Sequence, residues 1–195
     1  MRASAIVTKL ALVLPGLALL LSGRPAAQTN GSPERFTAVA VNMGTPGRAF
    51  TDRVEIVVEK WSPGAERDRL LNTLFEKGPE KLLDTLQDLP RVGYFRTPNS
   101  IGYDLHFARK HPGEDGGEQI ILMTDRRIGF WEARDQPRTM DYPFTLMDIR
   151  VNTKGEGEGK LSVATKISYN KKKNTVEIEN YASEPVRLQN VRPQK

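Results

Sequence analysis

A chain of 195 residues with 29 lysines and arginines against 24 aspartates and glutamates carries a formal charge of +5, and it holds two histidines and no cysteine. The missing cysteine excludes thiol catalysis, Cys-based zinc sites, disulfides and lipid attachment through a cysteine. The small positive excess excludes a field strong enough to gather nucleic acid, and two imidazoles fall short of what most metal hydrolases use.

The first element in chain order is an export signal. Arg2 and Lys9 precede the apolar run Ala11 to Leu21, and Arg24-Pro25-Ala26-Ala27-Gln28 follows it. A basic start, a short apolar stretch and then small residues form the pattern of a secretory signal peptide, expected over residues 1–28. The run is shorter than the ~20 residues of a membrane span, and Pro15-Gly16 interrupts it, so no transmembrane span is expected in the mature chain. Cleavage after Gly23, Ala27 or Gln28 is compatible with the flanking residues. Loss of residues 1–28 removes Arg2, Lys9 and Arg24 and no acid, so the formal charge falls from +5 to +2. The remainder, about 168 residues, suffices for one real core. The expected location is the periplasm or the extracellular space.

Residues 29–35 read as a flexible lead-in, and residues 36–195 as a single β-rich domain. Phe36 to Val41 is a first strand, broken by the turn formers Asn42 to Gly47. In Arg53 to Glu59 the apolar residues Val54, Ile56 and Val58 alternate with Glu55 and Glu59, the two-residue period of a half-buried strand. A helical excursion follows at about 63–89. Ser62-Pro63 is suited to cap and open it, and Leu70, Leu71, Leu74 and Phe75 form one apolar face. Gly78-Pro79 divides it from a second short helix with Leu82, Leu83, Leu86 and Leu89 in a matching stripe, ended by Pro90. Such short helices need a surface to cover, a sheet edge or the open end of a barrel.

From Arg91 onward strands resume: Val92 to Arg96, Ile101 to Lys110, Glu118 to Thr124, Ile128 to Ala133 and Phe144 to Val151. The polar loop Gly155 to Gly159 leads to Leu161 to Tyr169, where Leu161, Val163, Thr165, Ile167 and Tyr169 are expected on one face. Lys171-Lys172-Lys173, between two asparagines, reads as a solvated hairpin tip. Thr175 to Tyr181 and Pro185 to Val191 complete the chain. The connections are too short for parallel crossovers. The expected fold is mainly β, an antiparallel barrel or curved two-layer sandwich with an inserted pair of short amphipathic helices.

No serine elbow, phosphate-binding loop, paired-histidine zinc motif or dinucleotide glycine fingerprint occurs, so no cofactor is required by the sequence. Two clusters carry chemistry. Asp104 and His106 lie two apart in a strand pattern and are expected to share a face. There they form either a plain polar surface or, with further ligands from neighbouring strands, a metal site. His111 falls in the following turn. The second cluster is Asp125 to Asp135. Arg126 and Arg127 with Trp131 and Glu132 suit a carboxylate, phosphate or sugar acid, through forked hydrogen bonds and stacking. Tyr94 and Arg96 join them if the strands adjoin. Surface ion pairs around one buried tryptophan explain the same residues without a ligand. Glu132, Asp104 and Asp141 form a carboxylate set for glycoside hydrolysis only if a cleft gathers them.

The segments Pro90-Arg91-Val92-Gly93-Tyr94, Arg96-Thr97-Pro98-Asn99-Ser100, Ile128-Gly129-Phe130-Trp131-Glu132-Ala133 and Met140-Asp141-Tyr142-Pro143-Phe144-Thr145 resemble an uncharacterised group of small exported bacterial proteins. The resemblance implies export and a shared domain, and it brings no reaction, ligand or partner. The expectation is therefore a noncatalytic exported envelope domain that binds a small anionic or sugar-like ligand or a partner protein of the envelope, without specific nucleic-acid recognition. The alternatives are a metal- or carboxylate-dependent hydrolase, and an interaction module that uses its helix pair or a sheet edge.

Overall fold

The structure, a computed structural model, describes residues 9–10, 32–42, 50–98, 100–113, 116–125, 142–180 and 185–194. Strand β1 (Lys9–Leu10) is followed by β2 (Glu34–Asn42) and β3 (Phe50–Val58), then by the helices α1 (Gly64–Lys77) and α2 (Pro79–Gln87). Strands β4 (Gly93–Arg96), β5 (Tyr103–Leu105), β6 (Phe107–Pro112) and β7 (Glu118–Thr124) come next. They lead to β8 (Phe144–Val151), β9 (Gly157–Asn170), β10 (Thr175–Asn180) and β11 (Val186–Gln194). Of the expected export segment only Lys9–Leu10 is described, paired antiparallel with Glu179 and Ile178 on β10.

The sheet runs in the order β5-β4-β3-β2-β11-β9-β8-β7-β6, and its ends are two halves of one stretch of chain. β5 pairs with β4, β6 pairs with β7, and His106 alone separates them. His106 N donates to Met123 O at 3.0 Å, and Val92 N donates to Leu105 O at 2.8 Å. The result is a nearly closed antiparallel barrel, which removes most of the unpaired strand edges an open sheet would expose. Of the two expected architectures, the barrel is the one formed. Its interior is apolar: Ile56, Phe95, Leu105, Ile120, Leu122 and Leu188 are essentially inaccessible to solvent. At the end where β2 begins and β6 stops, Trp61 Nε1 donates to Glu34 at 2.8 Å, and Lys110 donates to the same carboxylate at 2.7 Å.

Two irregularities invert which side chains face inward, and both correct the simple alternation expected from the sequence. In β9, Ser162 pairs with Leu146 and Thr165 with Phe144, so Val163 and Ala164 stand opposite Thr145 alone. One extra residue shifts the two-residue phase. Leu161 and Val163 therefore fill the barrel, while Ile167 and Tyr169 belong to a second apolar layer outside it. The expected common face from Leu161 to Tyr169 is split at this bulge. Similarly, Leu105 and Ala108 face the interior but Phe107 faces the outer layer. The break at His106 thus separates Tyr103 and Leu105 from Phe107.

The outer layer is where the helices sit. Leu70 and Leu74 of α1, Leu82 and Leu86 of α2, and the following Leu89 are buried against Phe107, Met123, Phe144 and Ile167. The leucine stripes are thus covered by the barrel wall. Gly78, at φ 89°, makes the turn between the helices in a conformation that glycine adopts without strain. The expected cap at Ser62 is replaced by another contact. The cap position is Pro63, without a side-chain hydrogen bond, and the buried Ser62 bonds instead to Ala108. Ser62 N donates to Ala108 O at 2.7 Å, and Ala108 N donates to Ser62 Oγ at 3.3 Å. This anchors the helix pair to the barrel seam.

β9 begins at Gly157, earlier than expected, because Gly157 and Gly159 lie within its ladder with β8. A Cβ on Gly159 would stand 2.7 Å from the carbonyl oxygen of Asp148, so only glycine permits that pairing. The Lys171-Lys172-Lys173 tip is exposed, as expected, and Asn170 Oδ1 accepts hydrogen bonds from the backbone N–H groups of Lys172 and Lys173 at 3.1 and 3.2 Å. Among the described residues no helix is long and apolar enough to cross a membrane. The strand expected at Ile128 to Ala133 lies outside the described residues.

Candidate functional site

The helix pair covers the outer wall near β6 to β9, and it leaves the outer face of β2, β3 and β4 to polar side chains. There the strand register lines up two rows. One runs Arg192, Thr37, Glu55, Arg96 across β11, β2, β3 and β4. The next runs Arg35, Val57, Tyr94, Asp104 from β2 to β5. Residues directly opposite across strands stand close enough for their side chains to pair. These rows therefore bring together charges that are far apart in sequence.

Glu55 is the hub. Its Oε1 accepts from Arg35 Nη1 at 3.1 Å, and its Oε2 accepts from Arg96 Nε at 2.6 Å. The hydrogen bond to Glu55, and then the charge of that carboxylate, raise the already high pKa of Arg96. Arg91 bridges Glu59 at 3.0 Å and Asp104 at 2.8 Å. The guanidinium carbons of Arg91 and Arg96 lie 5.4 and 5.8 Å from the centroid of the Tyr94 ring, within cation–π range.

Beside this network is an open cavity of about 430 Å³ lined by Thr37, Arg53, Glu55, Arg96, Thr97 and Ser100. The guanidinium of Arg53, unlike those of Arg35 and Arg96, has no carboxylate partner among the described residues. Two guanidinium forks and the hydroxyls of Thr37 and Ser100 thus face one carboxylate. Guanidinium forks match carboxylate and phosphate oxygens in pairs. Ion pairs as exposed to solvent as Arg96–Glu55 contribute little to stability, so an incoming anion can compete with Glu55 at little cost.

Of the residues singled out from sequence, Arg96 lines this cavity and Tyr94 lies beneath its guanidinium. Arg126, Arg127, Trp131 and Glu132, with Asp141, lie outside the described residues. Asp104 and His106 engage different partners. Asp104 accepts from Arg91, whereas His106 Nδ1 donates to Leu89 O at 3.0 Å and its Nε2 stands 3.6 Å from Asp125. Among the described residues no group of three or more His, Asp or Glu side chains is placed to hold a metal ion. Sequence reading missed Arg53, Arg35 and Thr37. Their one signal is that each alternates with the inward residues Val54, Phe36 and Ala38 of its strand.

His111, expected in a turn, belongs to β6. Burial, and then the positive charges of Arg109 and Arg67, lower its pKa from the ordinary 6.5. The folded state therefore binds this proton less readily than the unfolded chain. Stability is full above the unfolded pKa and falls as pH drops through 6.5 toward the lowered folded value. Urea denaturation is expected to show a smaller loss of stability between about pH 7.5 and about pH 5 in His111→Gln than in the unaltered protein. An equal loss in both proteins would assign the acid sensitivity to other groups.

Compared with family models, curated proteins and solved structures, the chain matches none of them.

Proposed function

We propose that this protein is an exported, noncatalytic domain of the bacterial envelope that binds a small anionic, sugar-acid-like ligand on the outer face of β2, β3 and β4. The observation that carries this reading is the guanidinium of Arg53, which has no ion pair among the described residues and shares an open cavity with Arg96, Thr37 and Ser100. In this reading a carboxylate is held by the two forks, with its sugar hydroxyls toward Thr37, which accepts from Gln194, and Ser100, which bonds to the backbone of Thr97. The residual charge of the face is positive, so Glu55 serves to hold Arg35 and Arg96 in place more than to repel a ligand. Export is supported by the basic, apolar and small-residue pattern of residues 1–28, and location in the periplasm or outside the cell follows from it.

Isothermal titration with glucuronate against glucose tests the reading. The acid is expected to bind and the neutral sugar is not. Arg53→Gln or Arg96→Gln is expected to weaken binding about tenfold or more, since a hydrogen bond to a charged group contributes about 1.5–3 kcal/mol. Unchanged affinity in both variants, with folding intact, would refute the site.

A further inference from the structure

Strand β10 lies outside the ring of the barrel. β9 pairs with β11 as far as Leu161 and with β8 as far as Thr165, and its last residues run on beyond both. There β10 pairs with it, from Thr175 opposite Asn170 to Asn180 opposite Thr165, antiparallel and without a bulge. One face of this hairpin is held against the helices. The ring centroids of Phe75 and Tyr169 lie 4.3 Å apart, and Val176 packs in the same layer. Among the described residues only the two-residue strand Lys9–Leu10 pairs with the far edge of β10, Lys9 opposite Glu179 and Leu10 opposite Ile178. Export, as proposed above, takes these two residues away with the rest of 1–28, and the opening of the whole edge rests on that reading.

An unpaired edge is a template for another strand, and native sheets blunt it with prolines, lysines or bulges. β10, Thr175-Val176-Glu177-Ile178-Glu179-Asn180, has none of these. Val176 and Ile178 alternate with Glu177 and Glu179, so the apolar pair shares one face and the acids share the other. Glu177 accepts from Asn170 at 2.8 Å, and Glu179 accepts from Tyr142 at 2.7 Å. Neither acid makes an ion pair among the described residues, although Lys166 of β9 stands opposite Glu179. Lys171 to Lys173 lie past the Thr175 end of the edge. The edge therefore matches a strand that alternates apolar and basic side chains, as Lys9–Leu10 does over two positions. A second copy does not match it. The two antiparallel registers of greatest overlap that keep the apolar faces together set Glu177 opposite Glu177, or Glu177 opposite Glu179, and like charges directly opposite are destabilising.

We propose that the outer edge of β10 takes an extended segment of a partner protein as an added antiparallel strand, with apolar residues opposite Val176 and Ile178 and basic residues opposite Glu177 and Glu179. Main-chain hydrogen bonds supply the affinity of such an addition, and the alternate side chains supply the choice of partner.

Amide NMR spectra of the full chain, titrated with the end-blocked peptide Thr-Lys-Val-Lys-Val-Thr, test this. Two variants clear Lys9 from the edge by setting like charges opposite each other: Lys9→Glu, and Glu177→Lys combined with Glu179→Lys. In Lys9→Glu the lysine peptide is expected to move the β10 amides saturably and to bind about tenfold more tightly than Thr-Glu-Val-Glu-Val-Thr, since both cross-strand charge pairs change sign between the peptides. The double variant is expected to reverse that preference. The lysine peptide N-methylated at alternate residues, made in both phases, is expected to bind in one phase only, because every second N–H of a strand faces a given neighbour. No binding in Lys9→Glu, a preference that ignores the charge of the edge, or binding in both N-methyl phases would overturn the proposal. A dimer of the unaltered chain that the lysine peptide disperses would assign the edge to a second copy and overturn it too. Glucuronate affinity is expected to be unchanged in both variants, because no residue of β10 lines the cavity on β2 to β4, so failure of this edge and failure of that cavity are distinguishable.

Discussion

Truncating Leu86 to alanine is expected to lower the unfolding free energy by about 2–5 kcal/mol, one of the largest effects of any single substitution in this protein. Leu86 is fully buried in the layer between the helices and the outer wall of the barrel, among Leu74, Leu82, Phe144 and Ile167. Two short helices of 14 and 9 residues are marginal alone, so their order depends on this contact. A cavity here removes transfer free energy and packing together, and the anchored start of α1 at Ser62 limits how far the helix can shift to refill it. Leu83, only half-buried, is expected to cost clearly less when truncated. Urea denaturation of both variants measures the difference. Equal small losses would mean that the helix pair is not held by this layer.

Gly93→Ala is expected to destabilise the protein by about 1–3 kcal/mol, although it adds a single methyl group. Gly93 opens β4 beside the end of β3, where it pairs with Val58. A Cβ there would lie far inside contact distance of the carbonyl oxygen of Val57. The obstacle is backbone, which cannot rotate away as a flexible side chain would, so relief requires β3 and β4 to separate. That separation would disturb the junction of Val92 with Leu105 at the barrel seam and the Arg96–Glu55 pair on the outer face. Thermal unfolding is the direct readout, and a neutral alanine would show that the strands yield more easily than their register implies. Gly64→Ala is a useful contrast, since its Cβ would meet only the flexible end of Arg109 at 4.0 Å.

The elements of the fold were legible because their periods are local. Val54, Ile56 and Val58 announce a strand, Leu82, Leu83, Leu86 and Leu89 announce a helix face, and both lie where expected. Phase changes were not legible. The extra residue at Val163-Ala164 and the break at His106 are set by pairing with Thr145 and Met123, partners in other strands. Gly157 and Gly159 read as loop for the same reason, since the need for glycine there comes from carbonyl groups of β8. The candidate site was legible in part. Tyr94 and Arg96 stood out as an aromatic and a cation on one short strand. Arg53, Glu55 and Thr37 carried only the mark of an outward strand face, because a cavity across three strands is defined by their register.

Amide and guanidinium NMR spectra recorded during glucuronate addition test most directly whether the open wall of β2, β3 and β4 is the binding face. The expected result is saturable movement of the Arg53 and Arg96 side-chain signals together with the amides of Thr37, Thr97 and Ser100, while signals beneath the helices stay in place. Movement confined to other surfaces, or no movement in a folded protein, would contradict it.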